Sequence, residues 1–137
     1  VFGDWSSDVC SSDLLATAFE TGGENRERKA EFKRLASPRW RGLIGLERTL
    51  GLPRGKAITS ADYARAWAVC THLLQTEPET LRALLQARAD WCRQRPAGVP
   101  FARHEAELVA ATRADFDRLV RRGRPLDEWY GRLVAEP

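Results

Sequence analysis

Few side chains in this chain of 137 residues belong to types that do chemistry, and their spacing sets what they could do. The two histidines, His72 and His104, fall on different expected helices, and no carboxylate arrangement around them suggests a ligand set. A zinc site needs three or four convergent ligands. His72 lies one position from the apolar stripe of its helix and reads as a boundary residue. Cys70 and Cys92 lack the close spacing of a zinc knuckle or redox pair; a single disulfide between them is the alternative to two buried thiols. Tyr63 sits in the first turn of the most clearly patterned helix, where its hydroxyl can reach a neighbouring cleft. The sequence holds no HExxH, no GxSxG elbow, no CxxC and no glycine-rich phosphate loop.

Charge offers one further lead. Residues 25 to 56 carry ten Lys/Arg against three Glu, a balance of +7, whereas residues 57 to 137 are nearly neutral, with twelve basic and eleven acidic side chains. Phosphate neutralisation by such a segment would fit a nucleic acid or another acidic partner. Aromatic interleaving is thin there, limited to Phe32 and Trp40. Glu27 with Glu31, and Lys33 with Arg34, read equally as an ordinary solvated helix face. Trp67, Trp91 and Trp129 each fall on an apolar stripe and are expected to anchor a core.

The elements that would position these residues are helices almost throughout. Leu15 to Phe19 looks like the tail of an element broken by Thr21-Gly22-Gly23. Asn25 can cap a helix from Arg26 to about Ala36, and Ser37-Pro38 ends that helix or starts the next. Residues 39 to 50 form a weaker, glycine-interrupted helix, and residues 51 to 55 a loop. Thr59 or Ser60 caps a helix with Tyr63, Ala66, Trp67, Cys70, Leu73 and Leu74 on one face. Pro78 opens the next, whose stripe is Leu81, Leu84, Leu85, Arg88, Trp91 and Cys92. Residues 96 to 100 turn the chain. A further stretch carries Leu108, Val109, Thr112, Phe116, Leu119 and Val120, stopped by Gly123 and Pro125. The last helix aligns Leu126, Trp129, Tyr130, Leu133 and Val134. Helices this short are marginal alone and must bury their stripes against one another. An all-α bundle of about five helices is expected. No run of eighteen apolar residues exists, so no segment reads as a membrane span.

The first fourteen residues stand apart. Asp4 to Leu14 reads DWSSDVCSSDL, the translation of a common short-read sequencing adapter. The adapter ends in CT, and CTN encodes leucine whatever base comes next, so Leu14 closes the match. Residues 1 to 14 are expected to be an adapter-derived artefact and no native part of the fold. Cys10 and three acidic residues, Asp4, Asp8 and Asp13, go with them. The formal charge of +3 for the whole chain thus becomes +6 for residues 15 to 137.

The chain beyond residue 14 resembles the peptidase-MA-like, gluzincin-related domains of unknown function found in bacteria. Members carry HExxH on one helix and, on a later helix, a string close to W-L-S-E-G-L-A-T-Y-F-E-T, whose first glutamate is the third zinc ligand. Residues 15 to 21, Leu-Ala-Thr-Ala-Phe-Glu-Thr, match the second half of that string. Asn25-Arg26-Glu27-Arg28 with Phe32 is similar to the family's N-R-E-R…F. Tyr63-Ala64-Arg65-Ala66-Trp67-Ala68 with Leu73-Leu74 is similar to its Y-A-x-A-W-A-L…F-L-L helix. Phe116 and Leu126-Asp127-Glu128-Trp129 sit where the family has its F…L-x-x-x-[WF] ending.

The resemblance implies that residues 15 to 137 are the C-terminal helical subdomain of a zinc metallopeptidase-like protein. In the parent, zinc would be held upstream and a peptide would be the substrate. Counting back from Leu15, the ligand glutamate would fall at Asp13 and its glycine at Leu14, both within the adapter match, so Asp13 is not read as a substituted ligand. On this resemblance Tyr63 would donate to a developing oxyanion, with a packing role as the alternative. Glu20 would support the ligand shell or simply be an exposed helix-end carboxylate. This chain is expected to hold no metal or cofactor and to be inactive, its missing partner being the N-terminal catalytic half. The competing expectation is a non-enzymatic helical module whose basic segment, 25 to 56, binds nucleic acid or an acidic partner.

Overall fold

In a computed structural model, residues 25–50, 59–94, 98 and 100–135 are described, except for the side chains of residues 92, 101, 102, 104 and 105. The adapter-like segment, Glu20, the stretch resembling the ligand-bearing helix, and Arg54 and Lys56 of the basic segment lie outside the described residues. The described chain is all-α, with no strand. Its helices are α1 (Arg26–Leu35), α2 (Arg39–Leu50), α3 (Ser60–Thr76), α4 (Pro78–Arg93), α5 (Phe101–Asp115) and α6 (Leu126–Ala135). A π-helical segment, Phe116–Arg121, continues α5. The described residues thus form six α-helices where about five were expected.

The start signals act as the sequence implies. Asn25 caps α1 by accepting a hydrogen bond from the Arg28 backbone N–H at 3.0 Å. Thr59, rather than Ser60, caps α3, and it does so reciprocally with Asp62 in a capping box. Pro78 occupies the first position of α4, where its missing N–H costs nothing. At the far end of the π-helical segment, Arg122 (φ 50°) and Gly123 (φ 81°) both turn left-handed. Glycine adopts that conformation freely, while arginine does so at a cost of about 1 kcal/mol. The Arg122 guanidinium is held there by Glu77 at 2.9 Å and Thr80 at 2.6 Å.

The central element is α3, which packs against α1, α2, α4 and α6. A helix surrounded in this way must be apolar nearly all round. Ala64, Trp67, Ala68, Val69, Cys70 and Leu73 are accordingly buried. Around α3 the core gathers Phe32 from α1, Leu46 from α2, and Leu81 and Leu84 from α4. Phe116 and Val120 come from the π-helical segment, and Leu126, Trp129, Tyr130 and Leu133 from α6. Trp129 has no exposed surface and meets Phe116 edge-to-face, with ring centroids 5.1 Å apart. Trp67 is buried as expected, whereas Trp91 is only half-buried.

Two expectations from helical spacing are corrected. Leu74, expected on the core face of α3, is exposed. His72, expected at the boundary, is buried, with its ring edge-on to Trp129 at 5.9 Å. Both arise because α6 packs on the side of α3 that carries His72, which rotates the buried face away from residue 74.

Candidate functional site

Among the described residues, one densely hydrogen-bonded polar group is a side chain that spacing alone did not single out as functional. Asp62, in the first turn of α3, has 0% exposure. Its Oδ2 accepts from the Thr59 backbone N–H at 2.9 Å and the Thr59 hydroxyl at 2.8 Å. Its Oδ1 accepts from the Thr49 hydroxyl at 2.8 Å, which brings in α2. Arg48 approaches Oδ2 at 3.4 Å and Arg65 approaches Oδ1 at 3.6 Å. Burial by itself would raise the carboxyl pKa. The hydrogen bonds from Thr59 and Thr49, with the charge of Arg48, outweigh burial and hold it below the usual carboxylate value. The Thr59-x-x-Asp62 spacing of a capping box was the signal that could have found it. A carboxylate with this many donors is a structural tie: its lone pairs are occupied and it remains ionised, so it is unsuited to proton transfer at neutral pH.

A second buried charge joins α4 to α5. Arg88, placed by its spacing on the apolar stripe, is 7% exposed. It pairs with Asp115 and donates to the Thr112 hydroxyl at 3.0 Å. The stripe position is therefore an ion pair threaded through the packing of the two helices. Asp115 is the last residue before the π-helical segment and also accepts from Arg118 at 3.0 Å.

Tyr63 lies in the first turn of α3, half-buried, as expected. Its ring lies under the Arg28 guanidinium, 5.3 Å from the centroid. The same arginine donates to the Ser60 hydroxyl at 3.0 Å, and Ser60 donates in turn to Glu31 at 2.9 Å. Tyr63 therefore stands at the α1–α3 seam, with a cation over its face. His72 is separated from this seam by more than two turns of α3, and the structure does not bring the two together. Cys70 is buried and free, its thiol pushed up to about 12 by burial, so it is a core residue rather than a nucleophile. The side chains of Cys92 and His104 lie outside the described residues.

Among the described residues no three His, Cys, Asp or Glu side chains converge as a metal-binding group. The described residues therefore do not assemble a zinc site. Nor is any described helix long and apolar enough to cross a membrane. Comparison with protein-family models, with characterised proteins and with solved structures finds no match to this chain.

Proposed function

We propose that residues 15 to 137 are the C-terminal helical portion of a zinc-metallopeptidase-like protein, a subdomain without the metal ligands that braces the metal-bearing helix and walls the peptide cleft of its parent. One observation carries this reading: residues from separate parts of the family likeness pack on each other in pairs. Arg28, from the Asn25-Arg26-Glu27-Arg28 string, covers Tyr63, which opens the Tyr63–Ala68 string. Phe116 meets Trp129 of the closing string edge-on. The family likeness requires these strings to lie against one another, and they do. In the parent, zinc would activate water for peptide hydrolysis. What this chain contributes is a rigid seam that holds the Tyr63 hydroxyl where it can donate to a charge developing on the substrate carbonyl.

The test begins with the gene. Re-reading the locus with adapters trimmed should place HExxH upstream and a Glu-Gly pair immediately before Leu15. A start codon close to Leu15, or an unrelated domain there, overturns the proposal. In the recovered parent, Tyr63→Phe should lower kcat about 10²-fold with little change in KM if the hydroxyl acts on the transition state. An unchanged kcat assigns Tyr63 to packing.

A further inference from the structure

Two glycines of α2 mark a seam where side chains from other helices come down onto its backbone. Gly42 and Gly45 are both buried and lie three residues apart, so they share one side of the helix. A Cβ at Gly42 would run into the Tyr130 hydroxyl of α6 and stand 3.1 Å from Tyr130 Cζ. A Cβ at Gly45 would stand 2.5 Å from Cζ and 2.7 Å from Nε of Arg65, so this α3 guanidinium lies against α2. Arg39, in the first turn of α2, reaches α6 beside Tyr130: a Cβ at Gly131 would meet its Nη2 at 2.6 Å. Burial raises the Tyr130 pKa, and the charges of Arg65 and Arg39 both work against that rise, as cations near the phenol do.

Donors outnumber acceptors along this seam. Tyr130 is 1% exposed, and its hydroxyl makes no hydrogen bond among the described residues. Arg65 makes none either; its side chain is 13% exposed and its ion pair with Asp62 is 3.6 Å long. Asp62 is already taken up by Thr49, Thr59 and Arg48. Arg39 donates from Nε to the Asp127 carboxylate at 3.0 Å and from Nη2 to the Asp127 carbonyl at 2.6 Å, which leaves Nη1 unspent. Arg39, Arg48 and Arg65 thus share Asp62 and Asp127, and one positive charge stays uncompensated. A buried hydroxyl without an acceptor destabilises a fold where phenylalanine would not. A largely buried guanidinium with its N–H groups unmatched does the same.

We infer that Tyr130, Arg65 and Arg39 form a binding site for a phosphoryl dianion at the glycine seam of α2. A tetrahedral phosphoryl group turns its oxygens in several directions, so donors arriving from α2, α3 and α6 can each meet one. A planar carboxylate would engage one guanidinium with both oxygens and leave the other cation and the hydroxyl unmatched. Arg39, with 55% of its side chain exposed, is the outer member of the site and the side from which an anion enters. Every residue of the site is described, and none takes part in the metallopeptidase reading.

Isothermal titration calorimetry of the full chain with inorganic phosphate, at an ionic strength held constant with chloride, tests the site. Saturable binding of one phosphate per chain is expected. Tyr130→Phe should lower the affinity about tenfold or more, as loss of a hydrogen bond to a charged group does. The same variant keeps the ring, so its thermal midpoint without phosphate should be unchanged or higher. Arg39→Gln, at an exposed position, should also lower the affinity about tenfold. Lys33→Gln, exposed on α1, should leave it unchanged. Glycerol phosphate binding as well as phosphate assigns the site to a phosphate monoester, and phosphate binding alone assigns it to the free ion. No saturable binding above chloride, or affinity indifferent to Tyr130→Phe, overturns the inference. So does acetate binding as tightly as phosphate, an equal loss in Lys33→Gln, or a lowered midpoint of Tyr130→Phe without phosphate.

Discussion

Thr49 on α2 and Asp62 on α3 are joined across the helix interface by a 2.8 Å hydrogen bond from hydroxyl to carboxylate, at a point closed to solvent. The same carboxylate caps its own helix through Thr59. One side chain thus starts α3 and locks α2 against it. That coupling matters because α2, with glycines at 42 and 45, has little intrinsic reason to be helical.

Asp62→Ala removes the acceptor and leaves the Thr49 and Thr59 donors without it. Loss of about 3 kcal/mol in denaturant unfolding is expected. Because the Asp62 carboxyl is held below its usual pKa, its contribution is fully present above the unfolded-state value. It is lost as pH falls through the lower folded-state value, below about pH 4. Asp62→Asn should therefore flatten the acid limb of the stability–pH curve. An acid limb identical to that of the parent chain would show that Asp62 is not the linked group.

Two glycines in helices should differ in their response to alanine. At Gly42 a Cβ would run into the Tyr130 hydroxyl and crowd the Ala36 backbone at 3.2 Å. Tyr130 is fully enclosed and cannot yield, so Gly42→Ala should destabilise by about 1–3 kcal/mol despite its better helix propensity. At Gly131 the obstacle is the Arg39 guanidinium at 2.6 Å, the far end of a half-exposed side chain paired with Asp127. Gly131→Ala should fall within about 0.5 kcal/mol of neutral, helix propensity offsetting a weakened surface pair. Thermal or denaturant unfolding of the two variants, measured side by side, decides the matter.

Arg88 and Asp115 should show strong coupling. Asp115→Asn leaves Arg88 buried without its counter-charge and should cost about 3 kcal/mol. Arg88→Met with Asp115→Asn removes both charges and should recover most of that loss. A double-mutant cycle with a coupling energy near zero would place the pair in solvent rather than between α4 and α5.

Cys70, with its thiol raised to about 12 by burial, should resist alkylation in the folded chain at pH 8 and react promptly once unfolded. Peptide mapping distinguishes it from Cys10 and Cys92. Since the folded state keeps this thiol neutral, its contribution to stability is intact below the ordinary thiol pKa and declines as pH rises from there toward about 12.

The local structure was legible because its signals are local. Asn25, Thr59 and Pro78 mark helix starts within one turn of themselves, and the spacing of Phe116, Val120, Trp129 and Leu133 names a buried face without help from any neighbour. Charge balance located the basic segment, again by counting along the chain. Which side of a helix is covered, and by what, depends on partners far away in sequence. Periodicity could not tell that α6 would cover His72 and leave Leu74 in water. Nor could it show that Arg88 would find Asp115, or that Gly42 is a landing place for the Tyr130 hydroxyl rather than a weak point in α2. Helix propensity is decided over a few residues, whereas burial and charge pairing are decided by the crossing of elements, and only the packing of the helices around α3 settles those.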